Sequence, residues 1–212
     1  MFNKKPLTTV LPVAALLILA VACSNNNSKK ENNPAVNKDT VASTKNEVAP
    51  QRPPIINITD TVSEKRIIIC AKDSAASFER IALKLQEIYG VKLPEAIKQG
   101  KLKATGQPMA WYNTNKAPFF FEAGIPVDKR SAKTGKHLFF KETGTDSITV
   151  AHFYGPYDKL PLAYEALKDY LEDRNKKAGK PYEIYVDDPF DEQGNPKDPY
   201  KVRTDIIMPW RR

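Results

Sequence analysis

An internal repeat constrains this chain more than any single motif does. Shifted by 82 residues, "PIINITDTVSEKRIIICAKD", which begins at Pro54, lies over "KHLFFKETGTDSITVAHFYG" without a gap. Each copy has a short apolar run, a polar hexamer and then a strand-like run. A helical pattern follows at the same offset. Phe78, Ile81, Ala82, Leu85, Ile88 and Tyr89 carry it in the first copy, and Leu160, Ala163, Tyr164, Leu167, Tyr170 and Leu171 in the second. These spacings put each set on one buried helical face. Asp158 is placed to cap the second helix, and Pro161 is tolerated in its first turn. Such a chain builds one small unit twice.

After each helix comes Gly-x-Pro and a strand, "GQPMAWY" at 106–112 and "GKPYEIY" at 179–185. A return strand follows, "FEAGIPV" at 121–127 and "TDIIMPW" at 204–210. The differences fall in loops, where insertions are tolerated. "VKLPEAIKQ" is inserted after the first helix, and "DDPFDEQGNPKDPYK" lengthens the second hairpin. The pattern predicts an α+β domain of two β-α-β-β units, 54–127 and 137–210, duplicated about a pseudo-twofold axis. Neither unit covers its own sheet. The halves are therefore expected to form one domain, an antiparallel sheet with helices packed on one face.

The residues before 54 read differently. Lys4 and Lys5 precede an apolar run at 10–22 that is short for a bilayer span and interrupted by Pro12. It ends in "LAVAC", as an export signal does. The Cys after small residues makes 1–22 resemble a bacterial lipoprotein signal peptide. That resemblance implies acylation of Cys23 and a place in the cell envelope, anchored to a membrane on its periplasmic or outer-membrane side. Residues 23–53 hold no aromatic side chain and are dominated by Asn, Lys, Ser, Thr and Pro. They cannot bury enough surface to fold and read as a disordered tether to a domain at 54–212. Of the net charge of +8, Lys4 and Lys5 carry two. Lys29, Lys30, Lys38, Lys45 and Arg52 against Glu31, Asp39 and Glu47 carry two more. The domain keeps the rest with its signs intermixed, so no nucleic-acid partner is expected. Cys70, inside "RIIICA", reads as a small core residue without a disulfide partner.

The second half, "HFYGPYDKLPLAYEALKDYL" with "AGKPYEIYVDDP" and "TDIIMPW", resembles the GyrI-like domain, the effector-binding domain of multidrug- and AraC-type regulators. The hallmark residues are Gly155-Pro156-Tyr157, then Gly179, Pro181, Glu183 and Tyr185. The resemblance implies two β-α-β-β units, a ligand cleft between the halves, and a glutamate at Glu183 that meets ligands, often cationic aromatic ones. Two departures stand out: no helix-turn-helix segment lies upstream, and the usual "TEIYIPV"-like ending reads "TDIIMPW".

Within "GKPYEIYVDDP", Tyr182, Ile184 and Val186 alternate as a core face, which leaves Glu183 and Tyr185 on the opposite one. By the repeat, Glu183 corresponds to Ala110 and Tyr185 to Tyr112, so one carboxylate among phenols would line the groove. Aromatic faces attract cations, and the carboxylate gives direction. Glu183 is either this ligand partner or a structural residue hydrogen-bonded to a tyrosine. Tyr185, Tyr112 and Tyr157 are candidate ligand residues. Trp210 either closes the cleft or covers the sheet edge. Trp111 has the parity of the core.

His152 takes the place of Cys70 in the repeat and reads as a core position. His137 has no ligand-spaced partner, so no metal is expected. Asp187, Asp188, Asp191 and Glu192 lack the spacing of a calcium loop and read as a solvated hairpin. No cofactor is implied, beyond a remote similarity to haem-binding SOUL proteins through His152. A hydrolase using Glu183 as general base is the enzymatic alternative, since some stand-alone GyrI-like proteins resemble this chain and hydrolyse small electrophiles. A protein-interaction module would instead expose an apolar patch.

Overall fold

A computed structural model describes residues 52–114, 116–132 and 135–211. The expected signal peptide at 1–22, Cys23 and nearly all of the tether lie outside the described residues. In chain order the elements are β1 (Ile55–Val62), β2 (Arg66–Ala75), α1 (Phe78–Glu87), a π-helical turn (Ile88–Lys92), α2 (Leu93–Gln99), β3 (Met109–Tyr112) and β4 (Phe119–Val127). The second half contributes β5 (Leu138–Thr143), β6 (Ser147–Tyr154), a 3-10 turn (Tyr157–Lys159), α3 (Leu160–Glu172), β7 (Lys177–Ala178), β8 (Tyr182–Tyr185) and β9 (Arg203–Arg211). The expected α+β antiparallel architecture is present, and the inserted "VKLPEAIKQ" supplies the end of the π turn and all of α2. Ser77 caps α1 by accepting from the Arg80 amide. α3 begins at Leu160 behind Lys159, which makes no side-chain cap, so Asp158 belongs to the preceding turn and pairs with Lys159.

All ladders are antiparallel, in the order β1-β6-β9-β8-β3-β4-β2-β5, with β7 on the far end of β9. The leading strand of each half does not pair within its own half. Instead β1 pairs with β6 and β5 pairs with β2. Repeated strands carry the same apolar pattern, so β1 fits β6 as well as it fits β2. Only residues 63–65 join β1 to β2, although the two stand near opposite ends of the order. The sheet must curl until the turns at 63–65 and 144–146 meet. They do meet. Ser63 Oγ donates to the Gly144 carbonyl at 2.8 Å and accepts from the Asp146 amide at 2.9 Å. The Ser63 amide donates to Asp146 O at 2.9 Å.

Curling separates two faces. On one, the helices cover the sheet: Ile81, Ile88 and Leu93 pack on Ile69, Phe121 and Ala123, while Leu160, Ala163, Leu167 and Leu171 pack on Ala151, Phe153 and Ile206. Each such side chain contributes about 1.5–3 kcal/mol by leaving water. The other face has no helix, yet Ile68, Cys70, Met109, Trp111, Val150 and Ile207 are buried in the concavity of the sheet itself. Burial pushes the Cys70 thiol up to about 12, which leaves it inert at neutral pH.

Ladder register corrects one equivalence. Cys70 stands opposite Gly124, and Val150 opposite Ile207. Because Gly124 and Ile207 are equivalent in the return strands, Val150 is the counterpart of Cys70. His152 is therefore the counterpart of Lys72. It is half-buried, bonded to Thr59 and Asp205, and does not belong to the core.

Candidate functional site

The hallmark sequences are explained by close approaches. A Cβ on Gly155 would stand 2.8 Å from that of Pro54, so only glycine lets the chain leave β6 there. Pro156, with φ of −59°, then starts the 3-10 turn whose first residue is Tyr157. Gly179 donates its amide to the Pro209 carbonyl at 2.6 Å, and a Cβ there would lie 3.1 Å from that oxygen. This approach seats β8 against β9 and fixes which face Glu183 occupies.

Glu183 faces the helices, in register with Ala110 on β3 and Ile206 on β9, where the two halves adjoin. It is only 2% exposed. Three phenols donate to its carboxylate: Tyr157 at 2.6 Å and Tyr185 at 2.9 Å to Oε2, and Tyr164 at 2.7 Å to Oε1. Tyr112 Oη extends the network, 2.9 Å from Tyr185 Oη and 3.4 Å from Tyr157 Oη. Tyr89, on the π turn, stands edge-on to the Tyr185 ring with centroids 6.0 Å apart and donates to the Met109 carbonyl at 2.7 Å. The three donors pull the Glu183 pKa down, but burial outweighs them and leaves it raised. Burial and the nearby carboxylate push the Tyr157, Tyr164 and Tyr185 hydroxyls up, so they stay protonated donors.

Of the sequence candidates, Glu183, Tyr185, Tyr112 and Tyr157 come together. Trp210 does not. It lies four residues beyond Ile206 along β9, roughly 13 Å at strand rise, pairs with Ala178, and packs under the Lys176 ammonium, 3.8 Å from its ring. The expected open cleft is filled by the phenols. Tyr164 and Tyr89 belong to the site but read in the sequence as apolar helix faces. The available signal was that a buried tyrosine hydroxyl needs a partner.

The profile of the GyrI-like small-molecule-binding domain matches residues 63–211. The chain belongs to that family. No curated protein matches the sequence. Solved structures share the fold. EcmrR in its DNA complex is 20% identical with a TM-score of 0.62; the match covers 74% of this chain and only 58% of that one. A hydrolase from Listeria innocua is 12% identical over 77% of this chain and 94% of its own, with a TM-score of 0.51. A protein solved with tetraphenylphosphonium bound is 14% identical over 73% and 94% of the two chains, at a TM-score of 0.50.

Proposed function

We propose that this GyrI-like domain is exported, held to a membrane through Cys23, and captures a small cationic or aromatic molecule at Glu183. One observation carries the reading: a buried carboxylate whose hydrogen bonds come from phenols. Among the described residues Glu183 has no ion-pair partner. A cation entering this box gains a charge partner and the faces of several rings. Tyr157 is the wall that yields, because it is 46% exposed while its hydroxyl holds the carboxylate. The fold relative that binds tetraphenylphosphonium supplies a probe of the right chemistry.

Calorimetric titration of the full-length protein with tetraphenylphosphonium tests this. Glu183→Gln is expected to weaken binding by about 2–5 kcal/mol, the cost of leaving the cation unpaired. Equal affinity in the two proteins would remove Glu183 from the site. A hydrolase reading rests on the raised pKa of Glu183, which suits a general base acting on water. Mass spectrometry separates the two, since a binding protein returns its ligand intact and a hydrolase returns the water adduct.

A further inference from the structure

On the helix-free face, three adjacent strands place a hydroxyl, an imidazole and a carboxylate in line. Thr59 Oγ1 on β1 lies 3.2 Å from His152 Nε2 on β6. His152 Nδ1 lies 2.8 Å from Asp205 Oδ1 on β9. Accessibility falls along the row: Thr59 is exposed, the His152 side chain is 25% exposed and that of Asp205 10%. Arg203 grips Asp205 with two bonds of 2.9 Å, which fixes the orientation of the carboxylate. With Asp205 Oδ1 accepting from Nδ1–H, Nε2 is the nitrogen that accepts from Thr59. Nucleophile, base and orienting acid then stand in their working order.

The surroundings complete the arrangement. A cavity of about 200 Å³ opens on the same face, with the apolar Ile148, Ile184 and Ile207 and the polar Thr61, Glu64 and Arg66 in its lining. Thr61 is the next residue after Thr59 on that side of β1, and Ile184 stands directly opposite Asp205. A short acyl chain attached to a carbonyl at Thr59 has this mixed polar and apolar cavity beside it. Asn57, directly across from His152, adds a side-chain donor on the face of Thr59.

We propose that Thr59, His152 and Asp205 form an esterase-like centre for small acyl esters, distinct from the Glu183 site on the opposite face. Thr59 Oγ1 bonds to the acyl carbon while its proton passes to His152 Nε2. The carbon–oxygen bond to the alcohol then breaks, and the alcohol leaves with that proton. Water attacks the acyl-threonine, giving its proton to Nε2. Collapse releases the acid and returns the proton to Thr59. Arg203 shares Oδ1 with the imidazole, and threonine is a hindered secondary alcohol, which confines the centre to esters with good leaving groups.

The test uses the full chain with p-nitrophenyl butyrate, p-nitrophenyl acetate and a p-nitrophenyl palmitate control. Saturable turnover is expected, with the short esters cleaved ahead of the palmitate that the cavity excludes. Thr59→Val and His152→Gln are each expected to lower the rate by about 100-fold or more, the usual share of a nucleophile–base pair. Thr59→Ser keeps a nucleophile and retains activity, an outcome that a purely structural hydroxyl does not predict. Quenched samples should carry a hydroxylamine-labile acyl group on Thr59. Wild-type rates in a folded Thr59→Val protein, or acylation of lysines or Glu183 alone, would overturn the assignment.

Discussion

Protonation of Glu183 is expected to govern how the fold responds to pH. Its pKa is raised in the folded protein above the ordinary 4.5. A group of that kind contributes stability that is present below the unfolded value and lost as pH climbs through the folded one. Wild type should therefore lose stability relative to Glu183→Gln as pH rises above about 4.5, and match it most closely in acid, as melting curves across a pH series would show. A pH-independent gap between the two would contradict the buried, titrating carboxylate. Glu183→Ala is different, because it leaves the three phenol donors without their acceptor and should cost about 2–4 kcal/mol. Strand parity and the repeat made Glu183, Tyr185 and Tyr112 legible in the sequence. Tyr164 was not, because a phenol on an apolar helix face looks like packing until its hydroxyl is traced. Trp210 has the right parity and the wrong distance, and parity carries no information about position along a strand.

Elements in this molecule are placed by contacts that tolerate little change. Gly124, central in β4, has Cys70 Sγ and Ile68 Cγ2 each 2.6 Å from where a Cβ would stand, and the Ile69 carbonyl at 2.9 Å. Gly124→Ala should lower stability by about 1–3 kcal/mol in denaturant titrations, as overpacking does. Ser63→Ala removes the side-chain bonds between the two meeting turns, leaving the backbone bond to Asp146 O, and should cost about 1–2 kcal/mol. Unchanged unfolding in that variant would mean the curl is held elsewhere. The elements themselves were readable from period and Gly-x-Pro punctuation. Ladder register was not. A slip of two residues leaves every side chain on its original face, so the apolar pattern could not distinguish Cys70–Val150 from Cys70–His152 as equivalents. Strand exchange escaped for the same reason, since equivalent strands are interchangeable by pattern.

At the largest scale, the described residues form one curled sheet with a different chemistry on each side: phenols around a carboxylate beneath the helices, and a hydroxyl–imidazole–carboxylate row on the bare face. On the proposed envelope location, Cys23 ties that sheet to a membrane through a polar tether. Full-length protein should incorporate labelled fatty acid and sediment with membranes, whereas Cys23→Ala should do neither; equal labelling of both would remove the anchor. The exchange of β1 and β5 has a further consequence for molecularity. Each half holds a strand that the other half's sheet requires, so the stretch between Val127 and Leu138 makes a reciprocal donation intramolecular. Assembly is then first order and insensitive to dilution, with a local concentration set by the length of the connection. Severed there, the same two pieces would complete each other only by a second-order encounter, and each would carry an unsatisfied sheet edge open to any strand that reached it first.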